Sequence, residues 1–182
     1  MLPLFIILGI VLIVGITLWV IYNGLVSAKN VVDEAYSGID VQLKKRFELI
    51  PNLIEAVKGY NAHEAETLKK IVEHRSATGK DLNDTVQQDA SITGALKSFR
   101  VHLEDYPDLQ ANTQFLKLMD NLSQVENELA MARRYYNGAT RDHNIKIQVF
   151  PTVLIANSFG FKELPFYEIE AAEKVAPTVD LN

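Results

Sequence analysis

The chain has 182 residues, a formal net charge of −5 and no cysteine. The missing cysteine excludes disulfides, thiolate metal sites, a cysteine nucleophile and a lipid-modified cysteine. Every charged side chain lies beyond residue 28, so the acidic part of the chain is a domain that repels a nucleic-acid phosphate backbone, and no nucleic-acid partner is expected.

The N-terminal segment comes first in the chain and in importance. Leu4 to Ile21 reads LFIILGIVLIVGITLWVI, 18 residues with Thr17 the only polar aliphatic side chain. At ~1.5 Å per residue, Met1 to Tyr22 matches the ~30 Å hydrocarbon core of a bilayer. Trp19 and Tyr22 stand at its far end, where amphipathic rings favour the lipid–water boundary. Val26-Ser27-Ala28 offers the small residues of a signal-peptidase site, but no basic residue precedes the apolar run, and the run is longer than a usual signal sequence. The expectation is an uncleaved anchor over residues 1–22, a domain over 23–167 and a tail over 168–182. The first basic residues, Lys29 and then Lys44 to Arg46, come after the anchor, which puts the short N-terminus outside and the domain in the cytoplasm.

From Val26 to about Arg75, apolar residues recur three or four apart: Val32, Tyr36, Ile39, Leu43, Phe47, Ile50, Ile54 and Val57, then Leu68, Ile71 and Val72. This spacing predicts an amphipathic helix. Asn23-Gly24 is a candidate swivel, and Pro51 is expected to kink or locally break the helix. The basic run Lys44-Lys45-Arg46 reads as a solvated face. Ala77 to Asp84 reads as a loop. A second helix is predicted from about Thr85 to Glu104 on Val86, Ile92, Leu96, Phe99 and Leu103. Asp105 to Asp108 reads as a turn, with Asp108 or Asn112 capping the next helix.

The third long helix is predicted from about Asn112 to Phe150, its stripe formed by Phe115, Leu118, Leu122, Val125, Leu129, Tyr136 and Ile147. After Pro151 a short helix reaches Ser158, and Gly160 in Phe159-Gly160-Phe161 ends it with φ > 0. Lys162 to Asn182 reads as extended and peripheral. The fold class is all-α: an N-terminal transmembrane helix followed by an elongated antiparallel helical bundle.

No catalytic constellation stands out, and neither a metal site nor a cofactor is expected. His63-Glu64 lacks the second histidine of a zinc-protease motif, because Thr67 occupies that place. His74, His102 and His143 are scattered. Two patterns are candidates for partner binding. On the third helix Glu126, Arg133, Asn137 and Asn144 share one polar stripe at ~100° per residue, at the margin of the apolar face. Asp33, Asp40 and Lys44 form a similar stripe on the first helix. Interhelical bonds that fix register and a polar docking groove are the two readings. Phe159, Phe161, Phe166 and Tyr167 form an aromatic cluster, read either as core or as a partner surface. An acid–base pair of Glu126 with an aspartate lacks a third group.

Taken together, several runs carry a family resemblance. They are Arg46-Phe47-Glu48-Leu49-Ile50-Pro51-Asn52-Leu53, Val57-Lys58-Gly59-Tyr60 with His63-Glu64, Tyr106-Pro107-Asp108-Leu109 with Ala111-Asn112, Glu126-Asn127, Ala132 to Asn137, Asn144, Phe150-Pro151, Ile155-Ala156 and Phe159-Gly160-Phe161. In this order, over about Asn23 to Tyr167, the chain resembles the LemA family. The resemblance implies a bacterial or archaeal single-pass membrane protein with a helical-bundle domain and no established catalytic activity. It implies association with membrane-bound metalloproteases of the HtpX type, and one branch of the family belongs to magnetosome membranes. Some members carry a lipid-modified cysteine, a variant this cysteine-free chain excludes. Glu126, Arg133, Asn137 and Asn144 fall on motif positions of that family. The function expected is a membrane-anchored scaffold or adaptor, with a membrane metalloprotease as a partner class. The alternative is a self-assembling, homo-oligomeric organiser of the membrane.

Overall fold

A computed structural model describes residues 2–58, 82–102 and 106–168. These residues form five helices: α1 Leu2–Lys58, α2 Leu82–His102, α3 Pro107–Gln110, α4 Thr113–Gln148 and α5 Thr152–Phe159. The all-α class holds. The expectations for residues 59–81, including His63, His74 and the apolar stripe from Leu68 to Val72, lie outside the described residues, as does the tail beyond residue 168.

The two long helices bury their side chains at seven-residue intervals. In α1 the line is Leu25, Val32, Ile39, Arg46 and Leu53, each no more than 2% exposed. In α4 it is Phe115, Leu122, Leu129, Tyr136 and His143, each no more than 4% exposed. Two helical turns return a side chain to nearly the same face, which makes such a line the contact seam of a helix.

The chain divides into two compact units. The first comprises residues 1–39 and 132–166. Here the α1 and α4 segments run antiparallel: Lys146 Nζ donates to the Gly24 carbonyl at 2.8 Å, and the Tyr36 and Tyr136 rings meet with centroids 5.9 Å apart. Leu25, Ile147 and Ala156 of α5 form a small buried cluster, with Ile21, Ile155 and Phe161 packed against it. Gly160 closes α5 at φ 75°, where a side chain would be strained, and the Phe161 amide donates to the Ala156 carbonyl at 2.9 Å.

The second unit comprises residues 40–131 and 167–182. Segments of α1, α2 and α4 surround a core of Ile50, Leu53, Val57, Ile92, Leu96, Phe99, Leu109, Phe115 and Leu122. Here too α1 and α4 are antiparallel, with Lys45 paired to Glu128 at 3.2 Å. Asn112 caps α4, its Oδ1 accepting from the amides of Gln114 at 2.9 Å and Phe115 at 3.2 Å. Asp108 instead lies in α3, which Pro107 opens where a turn was expected.

Three local expectations are corrected. First, α1 is helical through both Asn23-Gly24 and Pro51, so the local break allowed at Pro51 does not occur. Pro51 is exposed and its neighbours Ile50 and Leu53 are buried, so core packing on the opposite face maintains the helix despite the missing N–H. Second, α2 begins at Leu82, inside the stretch read as a loop. Third, the segment after α5 is extended over 162–168 but is not peripheral. The Leu164 carbonyl and amide both bond the Asn144 side chain at 2.9 Å, and the Pro165 carbonyl accepts from Tyr136 Oη at 2.9 Å.

Burial raises the Tyr136 pKa above the ordinary tyrosine value of 10.0, outweighing the lowering influence of the nearby Thr140 hydroxyl. A raised folded-state pKa means that stability is fully present below the unfolded value and falls as pH climbs through the folded one. Chemical denaturation should therefore show stability decreasing above about pH 10. Tyr136→Phe should reduce that alkaline loss while costing about 1 kcal/mol at neutral pH through the lost bond to Pro165.

Candidate functional site

The basic run that reads as a solvated face contains the most buried charge in the described chain. Arg46 is 0% exposed. It stands seven residues after Ile39 and seven before Leu53, so the helix aims it into the second unit. Its Nη2 donates to Asp89 Oδ1 at 2.5 Å, and its Nη1 to Glu126 Oε1 at 3.1 Å and Thr93 Oγ1 at 3.0 Å. Tyr167 Oη donates to the other Asp89 oxygen at 2.6 Å. One arginine thus holds two carboxylates from two different helices, and Asp89, 2% exposed, is fully drawn into the core. Lys44 and Lys45, on either turn-edge of this seam, are exposed as the run suggested. Glu128 beside Lys45 has its pKa lowered, first by the bond from Gln124 and then by Lys45.

The candidate stripe on α4 divides between the two units. Glu126 lies in the second, bonded to Arg46, with its side chain 27% exposed. Arg133, Asn137 and Asn144 lie in the first. Asn144 spends both ends of its amide on the backbone of Leu164. Arg133 and Asn137 are half-buried and engaged with polar or charged neighbours. On the first helix, Asp33 pairs with Lys29 at 2.7 Å.

The aromatic cluster also divides. Tyr167 is buried at 3% exposure, whereas Phe159 is 64% exposed. The Phe159 ring lies 4.8 Å and the Phe161 ring 6.0 Å, centroid to centroid, from Tyr22 at the end of the apolar segment. Beside them a cavity of about 340 Å³ is lined by Lys29, His143, Phe159, Phe161 and Lys162. His143 is buried, with Nε2 3.2 Å from the Lys162 carbonyl. Cationic and aromatic groups line this cavity without a carboxylate, which is an environment for an anionic or apolar group rather than for a cation.

Arg46 carried a legible signal, its seven-residue spacing from Ile39 and Leu53, which the run of three basic residues obscured. Asp89 likewise stands seven residues before Leu96. Tyr167 had no such signal, because an extended segment has no helical period.

Breaking a buried ion pair on one side leaves the other charge uncompensated and costs about 3–5 kcal/mol. Asp89→Asn should approach that range in urea denaturation of the full chain in detergent. Glu126→Gln should cost distinctly less, since Glu126 is partly solvated and Arg46 retains Asp89.

Residues 35–181 match the LemA family. The chain is 28% identical over 177 residues to Protein LemA of Metamycoplasma hominis, covering 94% of this chain and 81% of that protein. It is also 23% identical over 184 residues to Magnetosome protein MamQ 2 of Paramagnetospirillum magneticum and 22% identical to Magnetosome protein MamQ of Magnetospirillum gryphiswaldense, in each case over 86% of this chain and 68% of the relative. The family match takes in α4, α5 and most of the amphipathic part of α1, with the motifs that include Arg46 and Glu126, and the chain belongs to the LemA family.

Proposed function

We propose that this protein is a membrane-anchored scaffold or adaptor that presents its helical domain to a protein partner in the same bilayer and performs no catalysis of its own. The observation that carries this reading is the contrast within α1. Its first twenty residues have exposed side chains such as Phe5 (70%), Leu12 (63%) and Trp19 (68%), with no protein against them, while Leu25 on the same helix is fully buried. An apolar surface of that size is the signature of a lipid environment, and the helix is long and apolar enough to cross one.

The same contrast argues for an anchor that is retained. Signal-peptidase cleavage after Ala28 would remove Leu25 from its cluster with Ile147 and Ala156, and Tyr22 from Phe159 and Phe161. Lys29 as the first charged side chain favours a domain on the cytoplasmic side. Confinement to one bilayer raises the effective concentration of a co-resident partner. A membrane metalloprotease is the partner class that the family resemblance suggests. Of the candidate residues, Glu126 and Asn144 hold bonds within the chain, whereas Phe159 is exposed.

Intact-mass measurement on protein extracted from membranes should return the chain with residues 1–28 in place; loss of that segment would overturn the anchor. Cross-linking in native membranes, with purification and mass spectrometry, should yield a stoichiometric second membrane protein. Recovery of the chain linked only to itself would overturn the adaptor reading in favour of self-assembly.

A further inference from the structure

Val149 to Phe161 reads VFPTVLIANSFGF, without a charged side chain, and lysines stand outside it at Lys146 and Lys162. α5 is the centre of this run. One of its sides is covered: Ala156 is buried with Leu25, and Ile155 packs on the same cluster. The side opposite Ala156 is open and mixed, Leu154 with the polar Asn157 and Ser158, and further exposed apolar groups stand at the two ends of the helix. Phe150 is 80% exposed, Leu154 60%, Phe159 64% and Val149 47%. Such a patch on a helix calls for an occupant.

The register of α5 on α1 identifies that occupant. α5 meets α1 at Ile21, Tyr22 and Leu25, where the apolar segment ends. Tyr22 is the ring expected at the lipid–water boundary, and Phe159 lies against it. The exposed face of α5 is therefore continuous with the apolar surface of the anchor and level with its end. Lys146 is spent on the Gly24 carbonyl, but Lys162 is exposed at the other edge of the run, and a long cationic side chain at the edge of an apolar segment reaches toward headgroups while its stem stays in the apolar layer. Lys29, which lines the same cavity beside Phe161 and pairs with Asp33, stands at the same end.

We propose that α5 and the residues flanking it lie in the headgroup–acyl boundary of the bilayer that α1 crosses, as a second, monotopic membrane contact that fixes the tilt and rotation of the first unit on the membrane. The inference rests on the anchor reading. Immersion by ~5–10 Å, typical of interfacial helices, is within reach of Leu154 and Phe150. A single span leaves a domain free to rotate about its anchor; a second contact removes that freedom.

The cysteine-free chain allows clean labelling. The full chain carrying Leu154→Cys or, as a second position, Phe150→Cys is labelled with an environment-sensitive dye and reconstituted in phosphatidylcholine–phosphatidylglycerol vesicles. Ile10→Cys and Lys97→Cys give the anchor and aqueous references. Quenching is read with lipids bearing a nitroxide near the headgroup, lipids bearing one deep in the acyl chain, and aqueous iodide. Dyes at 154 and 150 should lose most fluorescence to the shallow lipid and little to iodide, with the dye at 10 quenched best by the deep lipid. Iodide quenching at 154 and 150 with deep-lipid quenching at 10 overturns the proposal and leaves the anchor standing. Iodide quenching at 10 as well overturns the anchor and the proposal together. Dyes at 154 and 150 shielded from both lipid and iodide reveal a protein cover, a second copy or a partner, and overturn the proposal.

Discussion

The continuity of α1 as a single helix is the constraint on which the rest depends. A helix satisfies its own backbone polar groups in lipid and in water alike, so one element passes from an apolar environment into a packed domain with no unpaired segment between. What changes along α1 is its side-chain coat. Up to Tyr22 it is apolar all round; from Leu25 it is apolar on one line and polar elsewhere. Gly24, at the changeover, lends its carbonyl to Lys146 and is a close point of approach, where an added Cβ would come within 3.3 Å of the lysine Nζ.

Within the second unit the buried guanidinium is the costly element. Removing a charge from water is repaid only when its partners are well placed. Arg46 meets that condition with Asp89, Glu126 and Thr93, while Tyr167 occupies the remaining Asp89 oxygen. Apolar side chains of similar size would often stabilise such a site as well or better. The ion cluster therefore contributes register more than net stability: α1, α2 and α4 must present residues 46, 89 and 126 at one level, and a helix slipped by a turn would strand a charge in the core.

The first unit solves a different problem. Its packing against α1 near Leu25 is made by few residues, and hydrogen bonds to the extended 162–168 segment supplement it. Asn144 acts there as a two-sided clamp on Leu164, and Tyr136 holds Pro165. These bonds satisfy backbone groups that an extended segment would otherwise leave to solvent. They also fix the chain downstream of Phe159.

The long helices, their antiparallel sense and the apolar N-terminal segment were legible because each is a repeating signal: many side chains at 3.6-residue spacing, or a run of eighteen residues with one polar side chain, outvote any local exception. For the same reason Pro51 does not break α1, since one missing N–H is a local cost and the packing of Ile50, Leu53 and Val57 is a collective gain. Of the candidate residues, sequence alone located the α4 stripe and the aromatic cluster but not their use. Which atoms of Glu126 and Asn144 are consumed depends on Arg46 and Leu164, 80 and 20 residues away. Sequence by itself determined the helical class, the anchor-like segment and the amphipathic faces, because these arise from composition and period. Only the tertiary structure decided that Arg46 is core, that Tyr167 is bound and that in α5 Ala156 is buried while Leu154 is exposed, because burial is a property of what packs against a residue and not of the residue.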